Sequence, residues 1–145
     1  MYSGCNAMIL FVCTGNTCRS PMACALARAA GVDAQSAGIR ACDGAPASPQ
    51  AIRAARLYGA DLTGHRARTL NEEMLREAEE VWVMTEAHEA ALNMMFPEYS
   101  RKVNVLWPPI PDPYGGDERT YENCAKRLIE AMRRADILPP AGKIF

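Results

Sequence analysis

Short apolar runs alternate along the chain with alanine-rich or amphipathic stretches. Met8-Ile9-Leu10-Phe11-Val12 is continuously apolar, the pattern of a central parallel strand covered on both faces. Ser20-Pro21 follows, and Ser at a cap with Pro at the first helical position predicts a helix start. Alanine-rich sequence from Met22 to Ala30 carries that helix, and Gly31 predicts its stop. Asp33 to Ala37 reads as a short strand, and Ser48-Pro49 opens a second helix running to about Tyr58. Thr69-Leu70-Asn71-Glu72 has the form of a capping box for a third helix that ends near Ala78. Val81 to Met84 and Val103 to Leu106 read as strands, with a helix over Glu86 to Asn93 between them. The longest helical stretch is Asp117 to Ala135, where Tyr121, Leu128, Ile129 and Met132 fall on one face. This alternation predicts an α/β layer fold with a parallel sheet. Without a repeat, a low-complexity segment or a linker, residues 1–145 read as one domain.

Composition narrows the function classes. Apolar residues make up 49% of the 145, enough for a core without disulfides or metal. A net charge of −1 gives no field that would gather nucleic acid or an anionic membrane. No apolar run approaches the ~20 residues of a membrane helix. Residues Met1 to Ala7 carry neither the positive region nor the apolar stretch of a secretory signal. Ser3-Gly4-Cys5 lacks the hydrophobic segment that would precede a lipid-attachment cysteine. A cytoplasmic protein with reduced thiols is the expectation. The six cysteines form no CxxC pair, and His65 and His88 stand at no metal-ligand spacing from them, so no metal site is expected.

The chemistry concentrates after the first strand, in Cys13-Thr14-Gly15-Asn16-Thr17-Cys18-Arg19-Ser20. A loop between a buried strand and a helix N-terminus is where open α/β sheets bind ligands. Its successive amides can curl around an anion, reinforced by the positive end of the helix. Gly15 frees the backbone, and Asn16 tolerates a left-handed conformation. A helix N-terminus and a cationic neighbour favour the thiolate of a cysteine, and Ser20 can donate a hydrogen bond to it. Arg19 supplies a planar fork that matches two phosphate oxygens. Transfer of a phosphoryl group to Cys13 also needs a proton donor for the leaving group. Asp112 suits that role: it lies between Pro111 and Pro113 in the proline-rich loop after the last strand, on the same sheet edge as Cys13.

The loop Val12 to Ser20 and the distant Asp112-Pro113-Tyr114 resemble the low-molecular-weight protein phosphatase family. Ser36-Ala37-Gly38, His65-Arg66-Ala67-Arg68 and the Val81 to Thr85 strand add secondary matches, so the likeness covers nearly the whole chain. The resemblance implies a three-layer, flavodoxin-like fold with a four-stranded parallel sheet and helices on both faces. It implies no metal and no organic cofactor, phosphoprotein substrates, and inorganic phosphate as product. In the implied mechanism Cys13 attacks phosphorus, Arg19 and the loop bind its oxygens, and Asp112 serves first as acid and then as base. Thr14, Gly15, Asn16, Thr17, Cys18 and Ser20 fall on phosphate-binding or loop-supporting positions, Cys18 matches a cysteine able to pair reversibly with the nucleophile, and Tyr114 matches one wall of the substrate slot.

Protein-tyrosine phosphatase activity is the main expectation, and protein-arginine phosphatase activity the alternative. Thr17 and the D-P-Y-G-G loop resemble a bacterial branch acting on phosphoarginine, and Arg40 to Ser48 lacks the aromatic residue that tyrosine-specific members often carry there. Thiol-dependent arsenate reductases share the loop pattern but need relay cysteines, and Thr85 to Ser100 contains none. His65 and His88 read as polar-face or capping residues, Met94-Met95-Phe96 as packing, Arg66 and Arg68 as a solvated face, and Cys5, Cys24, Cys42 and Cys124 as unreactive thiols.

Overall fold

In the computed structural model, which describes residues 7–140, the apolar run after Ala7 becomes β1 (Ile9–Cys13). It is central because both of its edges are paired, with β2 (Ala34–Gly38) on one side and β3 (Glu80–Val83) on the other, both parallel. β4 (Val103–Val105) adds to β3, giving the order β2-β1-β3-β4. Alternate side chains of β1 leave the sheet on opposite faces. Phe11 enters a core built with Met22 and Leu26 of α1 (Arg19–Ala29), alanines of α2 (Pro49–Arg56), and Leu128 and Met132 of α5 (Glu118–Arg134). Leu10 and Val12 enter the opposite core with Leu75 of α3 (Glu72–Glu77), Val81, Val83 and Leu92 of α4 (Glu86–Met95). The result is the expected three-layer α/β fold with a four-stranded parallel sheet. Among the described residues, no helix is long and apolar enough to cross a membrane.

The helix ends show where local signals were overridden. Ser48 caps α2 as expected, accepting from the Ala51 amide. Ser20 does not cap α1: the helix begins at Arg19, with Cys18 at the cap position and no side-chain cap bond. The Ser20 hydroxyl instead faces Cys13 and Asn16. The capping box also shifts. Asn71, not Thr69, caps α3 by accepting from the Met74 amide, while Thr69 bonds Asp43 and bridges to Gly38 as an extension of the sheet. α2 stops at Arg56, two residues short of Tyr58, and Gly59 takes φ 75°. A 3₁₀ turn over Pro97–Lys102, unforeseen in the sequence pattern, delivers the chain to β4.

Strand order places the candidate chemistry. β1 turns toward β2 on one side and neighbours β3 on the other, so a crevice opens beyond its C-terminal end. The loop after Cys13 crosses that end and returns close to Gly38, the last residue of β2. A Cβ on Gly38 would lie 2.7 Å from the Thr14 carbonyl oxygen and 3.0 Å from the Asn16 nitrogen, both backbone atoms that no side-chain rotation can clear. Gly38→Ala is therefore expected to displace the loop, destabilising the fold by ~1–3 kcal/mol and weakening phosphate binding. Urea unfolding and phosphate titration check both effects, and an unchanged affinity would mean that the close approach does not shape the loop.

Candidate active site

Cys13 ends β1 with 2% of its surface exposed. The Ser20 hydroxyl lies 2.9 Å from its sulfur, and the Ser20 amide donates to the same sulfur at 3.4 Å. Ser20 Oγ accepts from Asn16 Nδ2 at 2.8 Å, and its single proton has two acceptors in reach, Cys13 Sγ at 2.9 Å and the Ala37 carbonyl at 3.4 Å. Asn16 holds the loop. It is fully buried and adopts φ 58°, the left-handed region. Nδ2 also donates to Ser36 Oγ at 3.0 Å, and Oδ1 accepts from the Arg68 amide at 3.0 Å. Its carbonyl oxygen lies 2.7 Å from Nε2 of His65. Every polar group of the Asn16 side chain thus has a partner, and the strained backbone is determined from several directions.

Arg19 is 5% exposed and reaches across to the proline-rich loop. Its Nη1 donates to the Ile110 carbonyl at 3.0 Å, and its Nη2 stands 3.7 Å from Asp112 Oδ2. The remaining Nε–Nη2 edge of the fork is available for an anion. Asp112 is more than half exposed, and its Oδ1 accepts from the Tyr114 amide at 3.1 Å in a local turn. Residues 13–19, Asp112 and Tyr114 together line one cleft of about 230 Å³. All ten sequence-derived site residues are thereby brought together: Ser20 sits beneath the cleft and Tyr114, 81% exposed, at its rim.

Cys18 is a free, buried thiol with Ser48 Oγ at 3.5 Å and Tyr121 Oη at 3.6 Å. Burial first, then the neighbouring Cys18, pushes the Tyr121 phenol up to about 12. Burial likewise raises Cys24, and takes Cys124 to about 12. Cys42 is exposed, and Cys5 lies outside the described residues. Among the described residues, no group of three or more His, Cys, Asp or Glu side chains could hold a metal ion.

Some supporting residues depart from the sequence reading. Arg68 is no solvated charge: its amide holds Asn16 and its guanidinium donates to the Ser36 carbonyl at 3.1 Å and to Gln35 Oε1. Met94 is not packed but 85% exposed, whereas Phe96 joins the second core. His88 is buried, with Nε2 2.9 Å from Thr14 Oγ1 and Nδ1 3.1 Å from Thr85 Oγ1. Only its three-residue spacing from the cap Thr85 could have flagged it. Desolvation, aided by the Arg19 charge, lowers His88 to about 4 against the opposing pull of Asp112.

These features agree with the comparisons. Residues 8–135 match the family described as low molecular weight phosphotyrosine protein phosphatase. The chain belongs to this family. It is 39% identical to the protein-arginine-phosphatase of Geobacillus stearothermophilus over 136 residues, covering 87% of this chain and 91% of that one. It is 38% identical to EpsP of Ralstonia solanacearum, a probable low molecular weight protein-tyrosine-phosphatase, over 80% of this chain and 84% of that one. A solved structure of the arginine phosphatase YwlE, a cysteine-to-serine mutant with a phosphorylated active-site serine, superposes with a TM-score of 0.84. It shares 32% identity, covering 95% of this chain and 99% of that one. This low molecular weight phosphatase is accordingly a hydrolase of the protein-tyrosine-phosphatase type, with phosphoproteins as its substrate class.

The two histidines predict how its stability responds to acid. His88 falls to about 4 in the fold, and burial also lowers His65, from an ordinary value of 6.5. Between those values the unfolded chain binds protons that the folded chain refuses, so stability is full above pH ~6.5 and declines toward pH ~4. Urea unfolding across that window should show the decline, and His88→Phe should flatten it. An equally steep decline in that variant would assign it to other groups.

Proposed function

We propose that this cleft hydrolyses phosphoproteins in two steps through a phosphocysteine. The observation that carries the proposal is the meeting of Cys13, Arg19 and Asp112 in one cleft, with Arg19 joined to the Asp112 loop through Ile110. In the first step Cys13 Sγ attacks phosphorus in line, an S–P bond forms, and the bond to the leaving group breaks. Loop amides and the free edge of Arg19 hold the equatorial oxygens, and Asp112 protonates the departing atom. In the second step water attacks the phosphocysteine, Asp112 takes a proton from it, and inorganic phosphate leaves as Cys13 regains its thiolate. Asn16, Ser20 and the cleft-lining Thr14, Gly15 and Thr17 keep the loop in its binding form. Cys18, a few residues along the same loop, can protect Cys13 by forming a reversible disulfide under oxidation. The reaction requires no cofactor or metal, and we assign it to the cytoplasm.

Tyr114 forms one wall for the substrate group. The primary assignment is to phosphotyrosine, in keeping with the family. One observation favours phosphoarginine as a second substrate: Thr17 stands on the cleft wall, its Oγ1 bonded to no partner nearer than Cys18 Sγ at 3.8 Å. That hydroxyl is available to a nitrogen–phosphorus substrate, and relatives named for arginine phosphatase activity stand beside those named for tyrosine.

Cys13→Ser should abolish turnover and retain phosphate binding. Unchanged hydrolysis in that variant would end the covalent mechanism. Asp112→Ala should slow substrates with poor leaving groups by ~10²–10⁴ and spare good ones, whereas uniform losses would contradict an acid role. A separate comparison uses phosphotyrosine and phosphoarginine peptides on wild type and Thr17→Ile. The substitution should lower the arginine-to-tyrosine ratio of kcat/KM, and an unchanged ratio would remove Thr17 from substrate selection.

A further inference from the structure

We propose that Thr85, His88 and Thr14 form a hydrogen-bond relay that turns the Thr14 hydroxyl into an additional donor for a phosphoryl oxygen. The inference rests on the phosphate-binding reading of the cleft and adds to it a group that acts from beneath. Thr14 is exposed on the cleft wall, and its Oγ1 is 2.9 Å from His88 Nε2. His88 is 6% exposed, and its Nδ1 lies 3.1 Å from Thr85 Oγ1. Thr85 caps α4, accepting from the His88 amide at 3.3 Å.

Proton counting orders the relay. Thr85 Oγ1 already accepts the backbone proton of His88, and its own single proton is best used toward Nδ1. Nδ1 is then an acceptor, so the neutral imidazole carries its proton on Nε2 and donates to Thr14 Oγ1. The Thr14 proton has no acceptor left on the histidine side and turns to the cleft. The other tautomer would draw the Thr14 proton onto Nε2 and leave only lone pairs facing an anion. A phosphoryl group therefore selects the first arrangement. The charged groups that act on His88 are Arg19, at the start of α1, and Asp112, on the proline-rich loop. A neutral His88 fits there because burial and repulsion from the Arg19 charge both disfavour a second cation at that position. His88 is thus a positioning residue, and Thr14 is the group that touches substrate.

The test titrates inorganic phosphate into wild type, Thr14→Val, Thr14→Ser, His88→Phe and the Thr14→Val/His88→Phe pair by calorimetry. Histidine ¹⁵N shifts are recorded on the phosphate-loaded wild type. Losing one hydrogen bond to a charged ligand should weaken phosphate by roughly tenfold in Thr14→Val and in His88→Phe. Thr14→Ser should bind like wild type, and the double variant should bind no worse than either single one. His88 should show the Nε2–H tautomer. Wild-type affinity in Thr14→Val, additive losses in the double variant, or an Nδ1–H tautomer would each overturn the relay. If His88→Phe does not fold, the two Thr14 variants and the tautomer decide. A wild type that binds no phosphate would overturn the relay together with the reading of the cleft, whereas an intact wild-type titration with an unaffected Thr14→Val overturns the relay alone.

Discussion

Asn16 is the constraint on which the rest of the site depends. A left-handed backbone at a residue with a Cβ is unfavourable by itself and persists only where its surroundings impose it. Here the imposing bonds come from α1 through Ser20, from β2 through Ser36, and from the segment before α3 through Arg68 and His65. That conformation lets the chain leave Cys13, curl, and enter α1 within a few residues. The close contact with Gly38 is part of the same constraint, because the curl fits only against a strand end that has no side chain.

Arg19 extends this order to a segment about ninety residues away in the chain. Nη1 holds the Ile110 carbonyl and Nη2 faces Asp112, so the first loop and the proline-rich loop share one guanidinium. An exposed ion pair such as Arg53–Glu118 contributes little. Arg19 differs because it is buried, and because its bond to a backbone carbonyl fixes direction rather than adding attraction between charges. Asp112, by contrast, stays partly in solvent.

The fold was legible because its signals are periodic. Strand and helix types followed from apolar runs, proline, and spacing along α5, all of which act locally. The cleft was legible because Cys13, Arg19 and Asp112 carry their chemistry in their side chains. What escaped were choices between competing hydrogen bonds. Ser20 has the propensity of a cap, yet a sulfur and an amide within reach outbid the helix end. Thr69 and Asn71 could each cap α3, and pairing of Thr69 with Gly38 settled it for Asn71. Arg68 and His88 look like surface residues in one dimension, since their partners Asn16 and Thr14 lie 52 and 74 positions away. No periodicity encodes such contacts.

The cysteines make the same point about reactivity. Residue type alone cannot separate Cys13 from Cys24 or Cys124, since all three are buried. Cys24 and Cys124 have burial as the dominant influence, and it keeps their thiols protonated. Even the Arg19 charge, which acts to lower Cys124, is outweighed. Cys13 is as dry as they are, but the Ser20 hydroxyl and the Ser20 amide are aimed at its sulfur. The Ser20 hydroxyl is held by Asn16, so the residue that shapes the loop also holds a group that reaches the Cys13 sulfur. Any substitution that frees Asn16 from Ser20 therefore acts on the loop and on the sulfur contact together, and the two cannot be tuned apart at that position.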